Sequence, residues 1–363
     1  MRIGIDAREL CGRSTGVGRY LSGLLTEWSR SPRAPAHEFV LYTPEALQSR
    51  LDTPHCATRV VSGLGGTWWE QMQAPRAAAS DRLDVWFAPA YSAPLRIGVP
   101  VALAVHDLSF FARPEWFRIR EGVRRRWLTR ESVARARCVI TISEFTKHEL
   151  MDRLDVAADK IAVIRPGITS DPQLAIRNPH SALRNPRILF VGSLFTRRHV
   201  PDLIRAFAPI GRAHADAGLD LVGDNRTYPV ENIRAAIHAE QMDAQVLWHH
   251  YVTDAQLAAL YAHARAFAFL SEYEGLGLTP LEALAAGLPP VLLDTPIARE
   301  SCGDAALFVP LGDRAATTRA LEQALFDDEV RARVLEAAPA VLARYDRPRA
   351  ADETLAAIER AAG

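Results

Sequence analysis

Two glutamates flank a glycine-rich turn and are the strongest candidates in the sequence for a catalytic or ligand-binding site. Residues 271–287 read SEYEGLGLTPLEALAAG, so that seven residues separate Glu274 from Glu282. The stretch follows an apolar run, and Thr279 at the N-cap with Gly287 at the end predicts a helix after the turn. The N–H groups of such a turn can bind a phosphate or a sugar hydroxyl. Thr279 and Glu282 also fit a capping box, which by itself would explain Glu282, whereas Glu274 has no such structural explanation.

A pair of adjacent arginines follows an earlier apolar run. Residues 190–203 read FVGSLFTRRHVPDL, in which a strand ends in a turn of small residues and Arg197 and Arg198 precede a helix. Two permanent cations at the end of a strand could neutralise a diphosphate, because arginine binds phosphate oxygens in a bidentate manner. A solvated basic turn is the more common fate of such a pair, so the pattern alone leaves both interpretations open.

Glycines and a histidine follow strands in the first half of the chain. Residues 15–20 read TGVGRY, and a loop with Gly16 and Gly18 before a helix permits the close approach of an anion. It is not a dinucleotide fingerprint, because Leu21 occupies the position of the third glycine. His106 lies at the carboxyl end of a strand, where it could hydrogen-bond a sugar hydroxyl, although a lone histidine is more often a packed residue.

The segment WHHYVTDAQL at 248–257 offers weaker candidates. Thr253 or Asp254 is best explained as the N-cap of a helix over 254–263, while Asp254 could instead accept hydrogen bonds from the N–H groups of guanine. The two adjacent histidines invite a metal, but no third ligand is evident in the sequence. Ser143 is likewise expected to cap the helix that follows it.

Short apolar runs that alternate with helical patterns indicate the architecture. Continuous apolar strands separated by helices are typical of parallel sheets covered on both faces, which bind ligands at the carboxyl ends of their strands. We therefore predict an α/β protein with two doubly wound, Rossmann-like sheets: a first domain over 1–170, a proline-rich linker over 171–187, a second domain over 188–345 and a C-terminal helix over 346–363 that packs back on the first domain. The predicted strands cover residues 3–7, 39–42, 85–88, 101–105, 138–142, 161–164, 188–191, 219–222, 246–248, 266–270, 291–293 and 306–309.

Composition limits the classes of protein to which the chain can belong. Its 363 residues favour two domains, its formal net charge of zero argues against a dedicated nucleic-acid binder, and its 48% hydrophobic content excludes disorder. Four cysteines far apart in the sequence indicate a reduced protein without structural zinc. The chain begins directly with a strand and contains no apolar run near the ~20 residues of a membrane span, so we expect a cytoplasmic protein.

The motif around the two glutamates resembles the E-x7-E signature of the family 4 retaining glycosyltransferases of the GT-B fold. The resemblance implies two Rossmann-like domains that face a cleft, with the acceptor on the N-terminal side and a nucleotide-sugar on the C-terminal side. It implies that Glu274 contacts donor-sugar hydroxyls and that Glu282 binds the nucleotide ribose. The residues between them would hold the sugar and phosphate: Gly275, Leu276, Gly277, Leu278 and Thr279.

Other segments extend the resemblance over nearly the whole chain. The family has V-G-x-x-x-x-R-K where this chain has Arg197 and Arg198, so arginine replaces the usual lysine. The family's V-H-D-L segment is also present, and the resemblance places His106 at the donor sugar. Further residues implied to bind substrates are Gly16, Gly18, Val252 and Asp254 on the donor and Arg19, Tyr20 and Trp69 on the acceptor side.

The reaction that the resemblance implies is transfer of a hexose from a nucleotide-sugar to a hydroxyl of a glycan or a polyprenyl-linked oligosaccharide, with retention at the anomeric carbon. No D-x-D occurs in the chain, so we expect no metal cofactor, and Arg197 and Arg198 would neutralise the diphosphate. Family members with similar motifs look like bacterial mannosyltransferases of polysaccharide and O-antigen assembly, which makes GDP-mannose the leading donor. The alternatives are a UDP- or dTDP-sugar transferase of the same family, a sugar-nucleotide epimerase and a non-catalytic nucleotide-sugar-binding subunit.

A basic region with aromatic residues is the remaining surface feature of the first half. Such a face can lie on an anionic membrane or bind a lipid diphosphate, with Arg124 on the acceptor side, so we expect peripheral contact with the inner membrane face. A solvated helix with a buried aromatic stripe is the more common arrangement. The region contains Arg118, Arg120, Arg124, Arg125, Arg126 and Arg130, with Trp116, Phe117 and Trp127.

Overall fold

The computed structural model describes residues 1–12, 16–47, 55–168 and 185–363, and it divides into two compact units. Unit 1 comprises Met1–Pro114, Ile119–Gly167 and Tyr345–Gly363, and unit 2 comprises Glu115–Arg118 and Ile168–Arg344. Most of the predicted linker, residues 171–184, lies outside the described residues.

Unit 1 is built on a parallel sheet in which seven strands are described, in the order β3-β2-β1-β4-β5-β6-β7. Neighbours β1 and β4 lie where the strand order reverses, which is the point at which open α/β sheets bind ligands. The strands are β1 (Arg2–Asp6), β2 (Glu38–Thr43), β3 (Cys56–Val60), β4 (Val85–Ala88), β5 (Val101–Val105), β6 (Cys138–Thr141) and β7 (Ile161–Val163).

Unit 2 has a second parallel sheet, with six described strands in the order β10-β9-β8-β11-β12-β13. Here β8 and β11 are the neighbours at the reversal, and Ile188 lies opposite Ala266 in their register. The strands are β8 (Arg187–Val191), β9 (Gly218–Val222), β10 (Val246–His249), β11 (Ala266–Phe269), β12 (Pro290–Leu293) and β13 (Leu307–Val309). Both sheets confirm the predicted α/β class.

Helices connect the strands, as parallel pairing requires. In unit 1 they are α1 (Gly16–Trp28), α2 (Gly66–Trp68), α3 (Ala74–Ala78), α4 (Ser109–Ala112), α5 (Ile119–Arg135), α6 (Glu144–Leu154) and α15 (Arg347–Ala362), with a π-helix at Trp69–Gln73. In unit 2 they are α7 (Val200–Ala213), α8 (Ile233–Ala239), α9 (Asp254–His263), α10 (Leu278–Ala285), α11 (Pro296–Cys302), α12 (Arg314–Phe326), α13 (Asp328–Glu336) and α14 (Ala338–Leu342). Within the described residues, none of the helices is long and apolar enough to cross a lipid bilayer.

The strand that the sequence did not predict is β3. All twelve predicted strands are present with their ends within one residue of the expected positions, whereas β3 reads CATRV and exposes most of its side chains. It lies at the edge of the sheet beside β2, so it needs no continuous apolar run to bury.

The last helix, α15, belongs to unit 1 although it follows all of unit 2 in the sequence. It begins after Asp346, whose side chain accepts a hydrogen bond from the N–H of Arg349. Leu355 and Ile358 are fully buried in the core of unit 1, and the indole N–H of Trp28 donates to the carbonyl of Ala351 (2.9 Å). The helix therefore covers one face of the first sheet.

Candidate active site

The carboxyl ends of β8 and β11 bring the two strongest sequence motifs together. Arg197 and Arg198 follow β8, Glu274 follows β11, and these two strands are neighbours in the sheet. The N–H of Glu272 donates to the carbonyl of Arg197 (3.0 Å), so the two loops are also joined by a backbone hydrogen bond. The topology thus places both motifs at the point where the sheet reverses its strand order.

Arg198 is fixed by several contacts at this point. Its Nε–H donates to Oε1 of Glu274 (2.8 Å), and its Nη1 donates to the carbonyl of Ser193 (2.8 Å). The guanidinium also lies 4.7 Å from the centre of the Phe269 ring, a cation–π distance. These contacts orient a cation at the strand end, where the alternative of a freely solvated basic turn no longer holds.

Glu274 is held as a carboxylate. The hydroxyl of Ser271 donates to its Oε1 (2.9 Å), and Nε of Arg197 lies 3.9 Å from the same oxygen. Burial raises the pKa of Glu274, but the charges of Arg198 and Arg197 and the hydrogen bonds from Arg198 and Ser271 oppose it, and the pKa lies below its usual value. Two cations and one buried anion therefore share the site.

Gly192 makes room for the arginine. Its φ of +142° lies in the region that favours glycine, and a Cβ atom there would lie 2.6 Å from Nη1 of Arg198. Gly223, just after β9, packs against the backbone of Gly192, and a Cβ atom added at Gly223 would lie 2.1 Å from the carbonyl oxygen of Gly192. A residue with a side chain at Gly192 would therefore collide with Arg198, which explains the small residue after β8.

His199 is a residue of this site that sequence reasoning missed. It has a left-handed backbone with φ of 47°, which is uncommon for a residue other than glycine. Its Nε2 lies 3.5 Å from Oε1 of Glu272 and its Nδ1 lies 3.3 Å from Oδ2 of Asp202. The imidazole therefore contacts both the loop after β11 and the first turn of α7. The sequence does not predict a left-handed backbone at a histidine. Only the position of His199 next to the two arginines could have indicated its place in the site.

The glycine turn after β11 leads into α10, but not through the predicted cap. Gly277, with φ of 86°, is the N-cap, and Thr279 is the second residue of the helix and caps nothing. The capping box of Thr279 and Glu282 is therefore wrong, because the left-handed glycine already turns the chain into the helix. Glu282 lies one turn inside α10 and is half-buried, so capping does not explain it. Gly287, with φ of 69°, ends the helix as predicted.

The rest of the turn forms a compact connection between Glu274 and α10. Gly275 and Leu276 are buried, Gly277, Leu278 and Thr279 are half-buried, and all belong to unit 2 with the arginines.

The segment after β10 contains the predicted helix cap. Thr253 caps α9, accepts from the N–H of Gln256 and forms a complete capping box with it. Asp254 is the first helical residue and is exposed, and Val252 is half-buried. Among the described parts of the chain, no group of three His, Cys, Asp or Glu residues could hold a metal ion.

His106 lies at the carboxyl end of β5 in unit 1. Its Nε2 is 2.7 Å from the carbonyl of Pro89, and because a carbonyl only accepts, this nitrogen carries the hydrogen. Burial lowers the pKa of His106, so the ring is neutral and Nδ1 is an acceptor. The ring of Tyr20 lies edge-on at 4.9 Å, which places this predicted residue beside the histidine.

A buried ionic cluster follows β1 in unit 1. Nη2 of Arg8 lies 3.0 Å from Oδ2 of Asp6 and donates to Oε1 of Glu70 (2.7 Å), and the hydroxyl of Ser92 donates to the same glutamate oxygen (2.6 Å). Burial and the charge of Glu70 raise the pKa of Asp6 to about 6, against the opposing charge of Arg8. Glu70 comes from the π-helix, 62 residues after Arg8 in the sequence, so only the folded chain brings these two residues together.

The remaining acceptor-side predictions have mixed outcomes. Trp69 is fully buried, and its indole N–H donates to the carbonyl of Val61 (2.7 Å). The ring of Trp69 therefore has no exposed surface in this structure, whereas its neighbour Trp68 is exposed. Arg124 is exposed and contacts the hydroxyl of Thr67.

The glycine loop before α1 is described only in part. Residues 13–15 lie outside the described residues, while Gly16 and Arg19 are exposed and Gly18 is buried in the first turns of α1. Ser143 caps α6 as predicted, through a hydrogen bond from the N–H of Thr146 (3.1 Å).

Two family models match adjacent parts of the chain. The model described as Glycosyltransferase Family 4 matches residues 14–171, and the model described as Glycosyl transferases group 1 matches residues 173–341. Together they cover the described strands of both units except β1, and they cover the arginine and glutamate loops of unit 2.

Relatives and solved structures agree with this assignment. O-antigen chain mannosyltransferase B of Escherichia coli is 26% identical over 257 residues, 68% of this chain and 66% of the relative. The serotype-specific mannosyltransferase WbdA of Escherichia coli is 27% identical over 225 residues, 56% of this chain and 27% of the relative. The chain therefore spans less than two thirds of the length of these relatives. HepE of Anabaena, solved in complex with UDP and glucose, superposes with a TM-score of 0.78 at 17% identity over 99% of this chain and 100% of that chain. The glycosyltransferase WaaG, which is involved in lipopolysaccharide biosynthesis, has a TM-score of 0.75 at 17% identity over 97% and 99%.

Two parallel, Rossmann-like sheets with the arginine and glutamate motifs at one strand reversal define a protein of the GT-B fold. The chain belongs to glycosyltransferase family 4.

Proposed function

We propose that the chain transfers a hexose from a nucleotide-sugar to a hydroxyl of a glycan or a polyprenyl-linked oligosaccharide. The observation that carries this proposal is the cluster of Arg197, Arg198 and Glu274 at the ends of two neighbouring strands in a member of this family. A cluster with two cations and one anion has an excess positive charge, which suits the diphosphate of a sugar donor.

Mannose from GDP-mannose is the proposed donor group. The support comes from relatives that are named as mannosyltransferases, two of them as O-antigen chain mannosyltransferases and one as a serotype-specific mannosyltransferase. UDP- and dTDP-sugars are the competing donors, and they are distinguished by the experiment below.

The proposed chemistry requires an exchange of partners at Arg198. Oxygens of the diphosphate replace Glu274 as acceptors of hydrogen bonds from the guanidinium N–H groups of Arg198. Glu274 then accepts hydrogen bonds from the sugar hydroxyls. Each charged group keeps a partner through this exchange, so no buried charge is left uncompensated. Arg197 and the N–H groups of residues 275–279 complete the binding of the sugar and diphosphate, Glu282 binds the ribose, and the diphosphate needs no metal ion.

Retention of the anomeric configuration follows from a front-face substitution. The bond from the anomeric carbon to the phosphate oxygen breaks, the new bond to the acceptor oxygen forms on the same face, and the leaving phosphate takes the proton of the acceptor hydroxyl. No carboxylate nucleophile is needed, so Glu274 and His106 position the sugar. Nδ1 of the neutral His106 would accept a hydrogen bond from a sugar hydroxyl.

The acceptor and its location follow from the same proposal. A polyprenyl-linked acceptor lies in a membrane, and we therefore propose that the protein works in peripheral contact with the cytoplasmic membrane face. Arg19, Tyr20 and Arg124 of unit 1 are the proposed acceptor-side residues, with Gly16 and Gly18 at the donor phosphates and Val252 and Asp254 at the base.

The test begins with a thermal-shift screen of GDP, UDP, ADP and dTDP and their common sugar conjugates, with and without EDTA. A ligand that binds only the folded protein raises its Tm by mass action, so a shift with GDP and GDP-mannose alone supports mannosyl transfer. A Tm shift with UDP or dTDP instead would indicate a UDP- or dTDP-sugar as the donor and would still support the proposed transfer reaction. No shift with any nucleotide, with metal or without, would contradict the proposed function.

A variant tests the role of Glu274 directly. In a transfer assay with labelled donor, Glu274→Ala should lower kcat by about 100-fold with a much smaller change in the donor KM, since the contact is needed in the transition state. Glu329→Ala, at an exposed glutamate of α13, is the matched control and should leave both constants unchanged. A rise in KM with unchanged kcat would show that Glu274 only binds the donor.

A further inference from the structure

Trp116 lies in the first half of the sequence, yet it belongs to the same unit as the candidate active site. Residues Glu115–Arg118 are part of unit 2, although the segments before and after them are part of unit 1. The indole of Trp116 lies edge-on to the ring of Tyr273, with 6.3 Å between the ring centres. Tyr273 is buried and directly precedes Glu274 in the loop after β11. Trp116 therefore packs against the glutamate loop of the site.

The same indole ring contacts Arg197. The guanidinium carbon of Arg197 lies 5.9 Å from the centre of the Trp116 ring and 4.3 Å from the centre of the Phe195 ring. Both distances fall within the ~6 Å range of a cation–π interaction. Phe195 is shared with Arg198, whose guanidinium carbon lies 5.3 Å from the centre of that ring. Trp116 thus gives Arg197 an aromatic partner in addition to the shared one.

The two arginines differ in how their N–H groups are used. Arg198 donates hydrogen bonds to Glu274 and to the carbonyl of Ser193. Nε of Arg197 lies 3.9 Å from Oε1 of Glu274, which is too far for a hydrogen bond. In the described part of the chain, no atom accepts a hydrogen bond from the guanidinium of Arg197. The contacts that orient this side chain are therefore the aromatic rings and the charge of Glu274.

Aromatic rings can hold a guanidinium without using its hydrogen-bond donors. The face of the ring attracts the cation, while the five N–H groups of the arginine remain able to bind phosphate oxygens. A carboxylate in the same place would accept some of these hydrogen bonds and neutralise the charge. A side chain that is oriented before the ligand arrives also loses less conformational entropy on binding. Trp116 and Phe195 thus keep Arg197 oriented, charged and available.

We propose that Trp116 is a positioning residue of the donor site, which orients Arg197 so that its N–H groups meet the diphosphate of the nucleotide-sugar. The ring acts through Arg197 and makes no contact with the reacting atoms. This inference rests on the proposed function, in which Arg197 binds the diphosphate. Arg197 then receives the diphosphate without giving up a hydrogen-bond partner, whereas Arg198 must exchange Glu274 for it.

The experiment is calorimetric titration of the full chain with GDP, UDP and inorganic pyrophosphate. Trp116→Leu removes the aromatic ring and should weaken binding by about 5-fold, as expected for the loss of one cation–π contact. Trp116→Phe keeps an aromatic face and should recover most of the affinity. Trp68→Leu, at a tryptophan of unit 1 that is 54% exposed, is the matched control and should bind as wild type does.

A double-mutant cycle shows whether Trp116 acts through Arg197. Arg197→Met should weaken binding by itself, and the addition of Trp116→Leu should then cause no further loss of affinity. A tryptophan that only supports the fold would instead lower the affinity by the same factor in both backgrounds. Equal factors would therefore overturn the proposal, and so would wild-type affinity in Trp116→Leu.

Tryptophan emission gives a second readout that a purely structural role would not change. An anion that binds Arg197 changes the charge beside the Trp116 ring, so the emission change on nucleotide binding should be smaller in Trp116→Phe than in wild type. Trp68→Phe should keep the full change. An undiminished change in Trp116→Phe would overturn the proposal.

The outcomes also separate this inference from the proposed function. If wild type binds none of GDP, UDP and pyrophosphate, both the proposed function and this inference are contradicted. If wild type binds and Trp116→Leu binds equally well, the inference alone is contradicted and the proposed function stands.

Discussion

The pair of Arg198 and Glu274 allows a prediction that separates a binding site from a structural ion pair. Their side chains are only 13% and 17% exposed and are joined by a 2.8 Å hydrogen bond. The gross attraction of two unit charges at this distance is about 6 kcal/mol at an effective dielectric constant of about 20. Desolvation offsets most of it, yet the lowered pKa of Glu274 shows that attraction exceeds the effect of burial. We expect a net coupling of about 2 kcal/mol.

The perturbation is a double-mutant cycle with Arg198→Met and Glu274→Gln. Methionine keeps an unbranched apolar side chain but loses the contact of the guanidinium with Phe269, and glutamine keeps the shape of the glutamate. The cycle subtracts these separate losses and leaves the coupling between the two charges. Each single variant should lower the free energy of unfolding, and the double variant should lose less than the sum of the two by about 2 kcal/mol. The exposed pair of Arg205 and Asp202 in α7 is the control, for which we expect a coupling below about 0.5 kcal/mol.

Binding of a nucleoside diphosphate distinguishes the two residues. If the arginine binds the diphosphate, Arg198→Met should weaken binding by about 30-fold in calorimetric titration, the equivalent of about 2 kcal/mol for a charged hydrogen bond. Glu274→Gln removes a negative charge beside the ligand and should retain or strengthen that binding. A coupling as small as that of the control pair, or an equal loss of affinity in both variants, would refute the reasoning.

Three further changes test other parts of the structure. Burial raises the pKa of Asp6 from 3.8 to about 6, so ionisation of this carboxyl group opposes folding. The contribution of Asp6 to the free energy of unfolding should therefore fall by at most about 3 kcal/mol as the pH rises from 4 through 6. Asp6→Asn does not titrate, so urea titrations should show its stability relative to wild type rising between pH 4 and 7.5, and parallel pH dependences would contradict this. Gly192→Ala should displace Arg198 and weaken diphosphate binding at least 10-fold in calorimetry, and unchanged affinity would show that the close approach is unimportant. Thr253→Ala should lower the free energy of unfolding by about 1 kcal/mol, with recovery in Thr253→Ser, and a serine variant no better than alanine would exclude capping as the cause.

The strands and many helix ends could be predicted because they depend on local sequence. A buried parallel strand must be a short apolar run, and helix caps such as Ser143, Thr253 and Gly287 act within a few residues of their own position. The edge strand β3 was missed for the same reason, because its exposed face imposes no apolar run. The predicted cap at Thr279 failed because the backbone of Gly277, two residues earlier, already begins the helix.

The residues of the candidate site were recognised as separate motifs, but their contacts come from the tertiary structure. Arg198 and Glu274 lie 76 residues apart and meet only because β8 and β11 are neighbours, and strand order does not follow from the pattern of any one strand. Burial depends on the same long-range packing, which covers Trp69 completely and leaves the adjacent Trp68 exposed. The sequence by itself thus determined the residue types, the strands and the chemistry they could perform. Only the folded chain decided which charges are paired, which aromatic rings face solvent and which residue, His199, joins the two loops, since these depend on contacts between residues far apart in the sequence.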